Sequence, residues 1–228
     1  MRTIAVVARK GGAGKTTLTV NLAIAAQLAG FDTLVADTDP QKSAIDVLQH
    51  RGPGGPAFVE ATPATLLKVQ IEAERAGVEA LIIDTPAGTE EGMSNAIVLA
   101  DLALLIVRPT YLDLAAAAYT SDILRKLRKP TLVVLNQAPV PRDGVEPPLV
   151  RKALKALELM RLSVVPAILR ARVNFQTSVE GGLSAIETAP VSAAAQEVAA
   201  IWSYVEQFAF APAEPLSHGG RTDTQLGR

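Results

Sequence analysis

The chain has 228 residues, of which 49% are hydrophobic and only 4% aromatic, and its formal net charge is −1. This length suits a single domain with a sizeable core, and the few aromatic residues predict a core of aliphatic side chains, as buried parallel strands usually have. The absence of cysteine excludes disulfide bonds, thiolate metal sites and iron–sulfur clusters, and it is compatible with a reducing cytoplasm.

Six short aliphatic runs lack strict polar alternation, so we expect them to be strands that are buried on both faces. In chain order they cover residues 3–8, 33–37, 80–84, 103–107, 131–136 and 164–169. Helical patterns are found at residues 15–29, 62–76, 112–127, 149–160 and 192–208. The alternation of strands and helices predicts an α/β fold, with a single-domain, doubly wound, mainly parallel sheet flanked by helices.

The predicted domain covers residues 1–210. After Phe210 the chain becomes rich in Ala, Pro, Gly and Ser and loses its periodicity, which predicts a disordered tail over residues 211–228. No apolar run reaches the roughly 20 uncharged residues of a membrane span, and the N-terminus lacks the features of a signal peptide. The sequence therefore predicts a cytoplasmic protein with no membrane partner.

A glycine-rich segment joins the first predicted strand to the first predicted helix. It reads Arg9-Lys10-Gly11-Gly12-Ala13-Gly14-Lys15-Thr16-Thr17. Glycines allow backbone N–H groups to surround phosphate oxygens, and the helix N-terminus adds a partial positive charge. In such a loop, Lys15 reaches the β- and γ-phosphates and the Thr16 hydroxyl binds Mg²⁺. The segment therefore predicts a phosphate-binding loop for ATP and Mg²⁺ over residues 9–17, in which residues 10–17 bind the nucleotide.

Two positions of this loop depart from the standard motif. Arg9 stands where a glycine is usual, and a second lysine, Lys10, begins the loop. This variant resembles the deviant Walker A loop of the ParA/MinD superfamily of partition and positioning ATPases. In that family the early lysine reaches the partner's nucleotide across a dimer interface, so the resemblance implies catalytic roles for Lys10 and Lys15 and an ATP-dependent homodimer. The alternative for Lys10 is an ordinary surface lysine.

Two carboxylates follow the second predicted strand, in Asp37-Thr38-Asp39-Pro40-Gln41. This run resembles the first switch of the ParA branch. The resemblance implies that Asp39 orients or activates the attacking water and that Asp37 lies near the metal. The alternative for Asp37 is a cap on the following turn. Asp84 closes four apolar residues, which is the Walker B pattern and predicts contact with Mg²⁺ through water, the alternative being a strand-end cap.

Further weaker matches occur later in the chain. The run Thr85-Pro86-Ala87-Gly88 resembles the second switch of the family, with Gly88 as a hinge. Asn136 ends a predicted strand, where relatives have an asparagine that bonds to adenine; a polar strand end is the alternative. Pro109 and Asp113 resemble the loop that supports the family's dimer interface. Because the first strand begins so near the N-terminus, the resemblance is to the small ParA type, over roughly residues 1–210.

Positive charge is concentrated in one part of the chain. Residues 108–172 hold 12 Lys and Arg against 5 Asp and Glu, which favours a surface that binds polyanions, although solvated helices would give the same count. The resemblance implies sequence-independent DNA binding by the ATP-bound dimer. Candidate contacts are Arg125, Lys126, Arg128, Lys129, Arg151, Lys152, Lys155, Arg161, Arg170 and Arg172. The expected DNA site takes five of these, namely Arg151, Lys152, Lys155, Arg170 and Arg172.

These observations predict an ATP-dependent DNA-partition ATPase that is associated with the nucleoid. A ParB-like or other cargo-bound protein would stimulate its weak hydrolysis and release the DNA. One alternative is the positioning of a protein cluster on the nucleoid. Two others are a nucleotide-dependent regulator without turnover and a small-molecule kinase or ligase similar to dethiobiotin synthetase.

Overall fold

Six parallel strands form the centre of the molecule, in the order β3-β2-β4-β1-β5-β6. They are β1 (Arg2–Val7), β2 (Thr33–Asp37), β3 (Ala57–Glu60), β4 (Ala80–Asp84), β5 (Leu102–Val107) and β6 (Thr131–Leu135). The structure is a computed structural model that describes residues 1–88 and 90–210. The tail predicted for residues 211–228 lies outside the described residues.

Helices cover both faces of this sheet. They are α1 (Lys15–Leu28), α2 (Ser43–His50), α3 (Leu66–Arg75), α4 (Glu90–Leu99), α5 (Tyr111–Lys126), α6 (Pro148–Leu159), α7 (Asn174–Glu180), α8 (Ala185–Thr188) and α9 (Ala193–Ala209). Helices α1, α2, α7, α8 and α9 pack on one face, and α3 to α6 pack on the other. Alternate residues of β1 point to opposite faces, since Ile4 and Val6 join the first core while Ala5 and Val7 join the second. The predicted doubly wound α/β fold is confirmed.

The strand predicted for residues 164–169 is wrong. In place of a strand, two isolated bridges connect this segment to the region of β6, from Val164 to Val133 and from Arg170 to Ala138. Pro166 lies between the bridges and has no N–H group, so a continuous ladder cannot form there. Strand β3 and helices α2, α4, α7 and α8 were not predicted. Three of the four β3 residues are exposed, so this edge strand lacks the buried aliphatic pattern used to find the others.

The sheet brings several loops together at one edge. Strand β1 lies between β4 and β5, and Asp37 at the end of β2 pairs in register with Asp84 at the end of β4. In open parallel sheets, the carboxyl ends of the strands form the edge where ligands bind. The loops that follow β1, β2 and β4 therefore meet at the expected position of a binding site.

Helix α9 is held by a small aromatic cluster. Trp202, the one tryptophan of the chain, is 4% exposed and has its ring centroid 5.6 Å from that of Phe31 and 6.0 Å from that of Phe210. One turn earlier in α9, Val198 contributes to the wall of a large cavity beside α1. No helix among residues 1–88 and 90–210 is long and apolar enough to cross a membrane.

Candidate functional site

The glycine-rich loop leads directly from β1 into α1. Gly12 and Gly14 have φ values of 70° and 94°, a left-handed conformation that glycine adopts readily and other residues rarely do. A Cβ atom on Gly14 would lie 2.2 Å from Nδ2 of Asn136, so no larger residue fits without displacing that side chain. Because α1 begins at Lys15, the free N–H groups of its first turn face the loop. This is the geometry of an anion-binding helix N-terminus.

Side chains that follow β6 hold this loop in place. Asn136 donates a hydrogen bond from Nδ2 to the carbonyl of Ala13 (2.7 Å), and Gln137 donates from Nε2 to the carbonyl of Gly12 (3.1 Å). The resemblance assigned Asn136 to adenine, whereas the structure shows it bonded to the phosphate loop. One amide hydrogen of Asn136 is used in this way, and the second remains for a ligand.

A buried carboxylate lies beside the first turn of α1. Asp84 accepts hydrogen bonds from the hydroxyls of Thr16 (2.7 Å) and Thr19 (3.1 Å). Burial raises the pKa of Asp84 to about 7 although both hydroxyls oppose this shift. A carboxylate that pays this desolvation cost is one that a nearby cation would stabilise. The Thr16 hydroxyl and Asp84 therefore fit a hydrated Mg²⁺ site at the phosphates.

The same region offers few other protein ligands for a metal. Among residues 1–88 and 90–210, no group of three or more His, Cys, Asp or Glu side chains is arranged to hold an ion. A cation at Thr16 and Asp84 would therefore take most of its ligands from phosphate oxygens and water. Magnesium is commonly bound in this way in nucleotide sites.

Asp37 lies beside Asp84, where the resemblance places it near the metal, and its side chain makes capping contacts. Its side chain is fully buried, and its oxygens accept hydrogen bonds from the backbone N–H groups of Asp39 (3.0 Å), Ala44 (2.9 Å) and Ile45 (3.2 Å). Burial raises the pKa of Asp37, and these three amides oppose the shift. Asp37 thus caps the first turn of α2 and fixes the loop that carries Asp39, which was the alternative interpretation.

Lys15 and Asp39 lie close to each other on the phosphate side of the site. The Lys15 side chain is 7% exposed; burial lowers its pKa, while the charges of Asp84 and Asp39 raise it. Asp39 accepts a hydrogen bond from the N–H of Gln41 (2.9 Å) and borders a cavity of about 500 Å³ that also reaches Ala87. This places a carboxylate between the two predicted switch segments.

Lys10 lies next to α5 and does not line the large cavity. Its Nζ atom is 3.8 Å from Oδ2 of Asp113, which is 5% exposed and also accepts hydrogen bonds from Arg108 at 2.9 and 3.2 Å. Burial would raise the pKa of Asp113, but the bonds from Arg108 and Thr110 and the charge of Lys10 together hold it below its usual value. The ammonium of Lys10 is therefore held against α5 by Asp113.

A cavity of about 640 Å³ continues from the loop towards α7 and α9. Its walls include Gly14, Thr17, Asn136, Gln137 and Phe175. The volume is in the range of small-molecule and cofactor sites, and the polar side chains lie at the loop end. This arrangement suits a nucleotide whose phosphates lie at the loop and whose base lies near Phe175.

Two of the five residues assigned to DNA are already paired inside the protein. Arg170 is 8% exposed and bonds with both nitrogens of its guanidinium fork to Glu146, and Arg172 pairs with Glu197 (2.7 Å). Both arginines line the large cavity. The assignment of Arg170 to DNA is therefore corrected, because its guanidinium is nearly buried and paired with Glu146.

The other three DNA candidates lie on α6. Arg151, Lys152 and Lys155 are exposed, and Lys155 is paired with Glu158 across one turn (2.9 Å). A short exposed pair of this kind is weak, so Lys155 can exchange its partner for a phosphate. These three residues remain the expected contacts for DNA.

Two residues near the loop were not identified from the sequence. Arg108 approaches the loop, since a Cβ on Gly12 would lie 3.8 Å from its Nη1 atom, and Gln137 bonds to the Gly12 carbonyl. Each follows a buried strand, at the same edge as the phosphate loop. Their position at the ends of predicted strands could have identified them, because polar residues at the carboxyl ends of parallel strands commonly contact a ligand.

Comparison with known proteins gives a family match, one curated relative and two solved structures of the same fold. The family described as "CobQ/CobB/MinD/ParA nucleotide binding domain" matches residues 4–183. "Maintenance of carboxysome distribution protein A" from Gloeobacter kilaueensis is 30% identical over 190 residues, which are 82% of this chain and 84% of that protein. The fold is shared with the cell division ATPase MinD of Pyrococcus furiosus, with a TM-score of 0.73 and 24% identity over 91% of this chain and 99% of that one. MinD of Pyrococcus horikoshii, solved with Mg-ADP, has a TM-score of 0.72 and 21% identity over 91% and 96% of the two chains.

Proposed function

This chain belongs to the CobQ/CobB/MinD/ParA family of nucleotide-binding domains, and on that premise we propose that it positions a cargo on nucleoid DNA through an ATP-dependent homodimer. The family and fold identify an ATPase of the ParA/MinD type. The finer function needs three properties of this chain, namely dimerisation by ATP, hydrolysis between two subunits and binding to DNA.

The observation that carries the proposal is the position of Lys10. Its ammonium lies 3.8 Å from Oδ2 of Asp113 on α5, and Lys10 does not line the cavity that extends towards Phe175 and Val198. The Lys10 side chain is 36% exposed, so a second protomer can reach it. A cation given in trans stabilises the negative charge of the transferring phosphoryl group, as an arginine finger does.

The remaining residues supply binding and hydrolysis. Residues 11–17 hold the phosphates with backbone amides, and Lys15 adds a positive charge at the β- and γ-phosphates. Asp39 accepts a hydrogen bond from the attacking water and orients it towards the γ-phosphate. Thr16 and Asp84 would hold Mg²⁺, which would neutralise the negative charge that develops on the phosphates. Asn136 stabilises the loop through its hydrogen bond to the carbonyl of Ala13.

A protein cluster is the cargo that the relatives favour. The Gloeobacter kilaueensis relative is named for the maintenance of carboxysome distribution, and it matches this chain over 84% of its own length. Partition of a plasmid or chromosome with a ParB-like partner is the second candidate, because the loop with Lys10 and the Asp-x-Asp-Pro-Gln run are common to the ParA branch. A regulator without turnover and a small-molecule kinase are less favoured, since Lys10 and Asp39 would have no use there.

The proposed DNA contacts are Arg151, Lys152 and Lys155 on the exposed face of α6. Contacts between such residues and phosphates do not depend on base sequence and weaken steeply with salt. The ATP-bound dimer would then bind the nucleoid, and the monomer formed after hydrolysis would dissociate from it. This would place the protein in the cytoplasm, on the nucleoid.

The proposal is tested with the purified full-length chain. Light scattering with a non-hydrolysable ATP analogue should show a dimer, and turnover per protomer should rise with protein concentration and with added duplex DNA. A protomer that stays monomeric at saturating analogue, or turnover that is indifferent to DNA at every concentration, would contradict the proposal. Imaging of cells that lack the protein then distinguishes the two cargoes. If the cargo is a protein cluster, the cluster should disperse and DNA inheritance should stay intact. If the cargo is a plasmid or chromosome, DNA inheritance should fail instead.

A further inference from the structure

Arg108 follows the last residue of β5, next to the strand that carries the phosphate loop. Strand β5 pairs with β1 in parallel, so the segment after β5 and the loop after β1 leave the sheet side by side at its ligand-binding edge. A Cβ atom on Gly12 would lie 3.8 Å from Nη1 of Arg108. One nitrogen of the guanidinium therefore lies beside the loop that holds the phosphates.

The other side of this guanidinium is fixed by a buried carboxylate. Nε and Nη2 of Arg108 donate to the two oxygens of Asp113, at 2.9 and 3.2 Å, and Asp113 is 5% exposed. Asp113 is itself held at the start of α5, because its N–H donates to the side chain of Thr110 and the Thr110 hydroxyl donates back. A guanidinium that is bound through two nitrogens keeps one orientation, so the direction of the third nitrogen is fixed.

Nη1 of Arg108 carries hydrogen-bond donors that the protomer leaves available. A guanidinium has five N–H groups, and Asp113 uses one on Nε and one on Nη2. Within residues 1–88 and 90–210, Nη1 forms no hydrogen bond, and the side chain is 25% exposed. Neutralisation of Asp113 therefore accounts for two of the three nitrogens. The third presents a fixed positive donor next to the phosphate loop.

Arg108 shares its carboxylate with Lys10. Nζ of Lys10 lies 3.8 Å from Oδ2 of Asp113, and the same oxygen accepts the bond from Nη2 of Arg108. Two cations thus share one negative charge, so the group keeps a net positive charge towards a ligand. A phosphate that Lys10 reaches is close to Arg108 as well.

The position of Arg108 relative to the cavity is also that of Lys10. Within the described protomer, neither residue lines the cavity that extends from the loop towards Phe175. The two cations differ in how they are held, because Lys10 has one contact at 3.8 Å whereas Arg108 has two short bonds. A donor that is already fixed needs no reorganisation when charge develops on a reacting group, which makes it the more effective stabiliser.

We propose that Arg108 is a second catalytic cation, which donates from Nη1 to a phosphate oxygen of the nucleotide bound by the partner subunit. This inference rests on the proposed function and adds a residue to its site of hydrolysis. The water oxygen forms a bond to the γ-phosphorus, and the bond from that phosphorus to the bridging oxygen breaks, with the electron pair leaving on ADP. The protons of the water go to the released phosphate and the solvent. Arg108 transfers no proton, since a guanidinium stays protonated, and acts only on the negative charge.

The substitution Arg108→Gln tests whether this cation contributes to hydrolysis. Glutamine has no charge but can still donate one hydrogen bond to Asp113. Turnover should fall by at least about 100-fold, the usual loss when one preorganised donor is removed, while the monomer should bind a fluorescent ATP analogue as the wild type does. The matched control is Arg2→Gln, because Arg2 also pairs with a carboxylate, Asp101 at 3.7 Å, but lies at the opposite edge of the sheet. The control should hydrolyse ATP at the wild-type rate.

Mixed dimers then show which nucleotide Arg108 serves. The partner protein carries Asp39→Ala, which removes the residue that orients the water and leaves Arg108 in place. In a dimer of the two variants, the Arg108→Gln protomer keeps its own Asp39 and receives Arg108 from its partner. Neither parent protein has such a site, so mixing should restore turnover to about a quarter of the wild-type rate, as random pairing into symmetric dimers gives. If Arg108 served its own protomer, no site would be complete, and turnover that stays at the parental level would overturn the inference.

Thermal unfolding of each variant is measured, and Arg108→Lys serves as a second variant in case the glutamine protein does not fold. Lysine keeps a positive charge beside Asp113, but one ammonium cannot bond to that carboxylate and to a phosphate as the guanidinium fork does. Arg108→Lys should therefore unfold as the wild type does and lose turnover by at least about tenfold. Mixing with the Asp39→Ala protein should restore its activity too.

The remaining outcomes separate this inference from the proposed function. Wild-type turnover in Arg108→Gln or Arg108→Lys would overturn the role of Arg108 and leave the proposed function intact. So would a loss of turnover that is matched by an equal loss of ATP affinity in the monomer. A wild-type protein that stays monomeric with a non-hydrolysable ATP analogue would overturn both.

Discussion

Replacing Lys10 with alanine should change the stability of the protomer little and its rate of ATP hydrolysis greatly. In the protomer, Lys10 contributes one ion pair at 3.8 Å to Asp113, and its own side chain is 36% exposed. Asp113 keeps both bonds from Arg108 and the one from Thr110 after the change. Exposed ion pairs contribute about 0–1 kcal/mol, and the exposure of Lys10 places this pair in the lower half of that range. The melting temperature should therefore fall by no more than about 2 °C.

The expected effect on turnover is much larger. Cations inserted at a transferring phosphoryl group accelerate hydrolysis by about 10³–10⁵-fold, which corresponds to about 4–7 kcal/mol of transition-state stabilisation. If Lys10 supplies this charge from the partner subunit, Lys10→Ala should lose turnover by at least about 10³-fold. Binding of ATP to the monomer should change little, because the amides and Lys15 remain.

Three measurements on the same protein decide the matter, namely phosphate release, thermal unfolding and the affinity for a fluorescent ATP analogue. Lys68→Ala is the matched control, since Lys68 also forms one exposed ion pair, at 3.7 Å to Glu72 on α3, and lies away from the loop. A Lys10→Ala protein with turnover within about threefold of wild type would refute the reasoning. So would a loss of turnover that is matched by an equal loss of ATP affinity in the monomer.

Three further substitutions test the structure at single positions. Gly14→Ala places a Cβ 2.2 Å from Nδ2 of Asn136. It should weaken nucleotide binding in an equilibrium titration by more than about 100-fold, which equals about 2.7 kcal/mol. An affinity close to that of the wild type would contradict the loop geometry. Gly182→Ala has a φ of 69° and a Cβ 2.3 Å from the backbone N of Arg51, so denaturant unfolding should show a loss of about 2–4 kcal/mol. Glu187→Gln breaks the paired bonds to Arg51 and should cost about 1–3 kcal/mol at neutral pH. Burial raises the pKa of Glu187, but the bonds from Arg51 outweigh it and the net shift is downward. The wild type's advantage should therefore be complete above the unfolded pKa and vanish as pH falls through the folded pKa, and a difference that persists in acid would contradict this account.

The phosphate loop could be located from the sequence because its chemistry is local. The glycines, Lys15 and Thr16 are adjacent in the chain, and the strand before and the helix after them are periodic enough to recognise. The role of Asp37 could not be decided in this way, because a cap and a metal neighbour require the same residue type at the same strand end. Only the positions of the Ala44 and Ile45 amides show the capping role.

The residues that contact DNA could not be predicted from the distribution of charge, for a related reason. The excess of basic residues between positions 108 and 172 was visible in the sequence, but the partners of individual arginines were not. Glu146 lies 24 positions from Arg170 and Glu197 lies 25 from Arg172, and no local pattern connects them. The exposed strand β3 and the helices α7 and α8 were not predicted, because segments this short show no clear hydrophobic periodicity. Tertiary contacts hold them in place.

Trp202 gives the protein an internal optical reporter. It is the one tryptophan of the chain, is almost completely buried, and within the described residues its indole N–H has no hydrogen-bond partner. Its emission therefore originates from a single apolar environment, one helical turn from Val198 in the wall of the nucleotide cavity. Changes in intrinsic fluorescence on adding nucleotide would report how tightly α9 packs against α1, without any added dye.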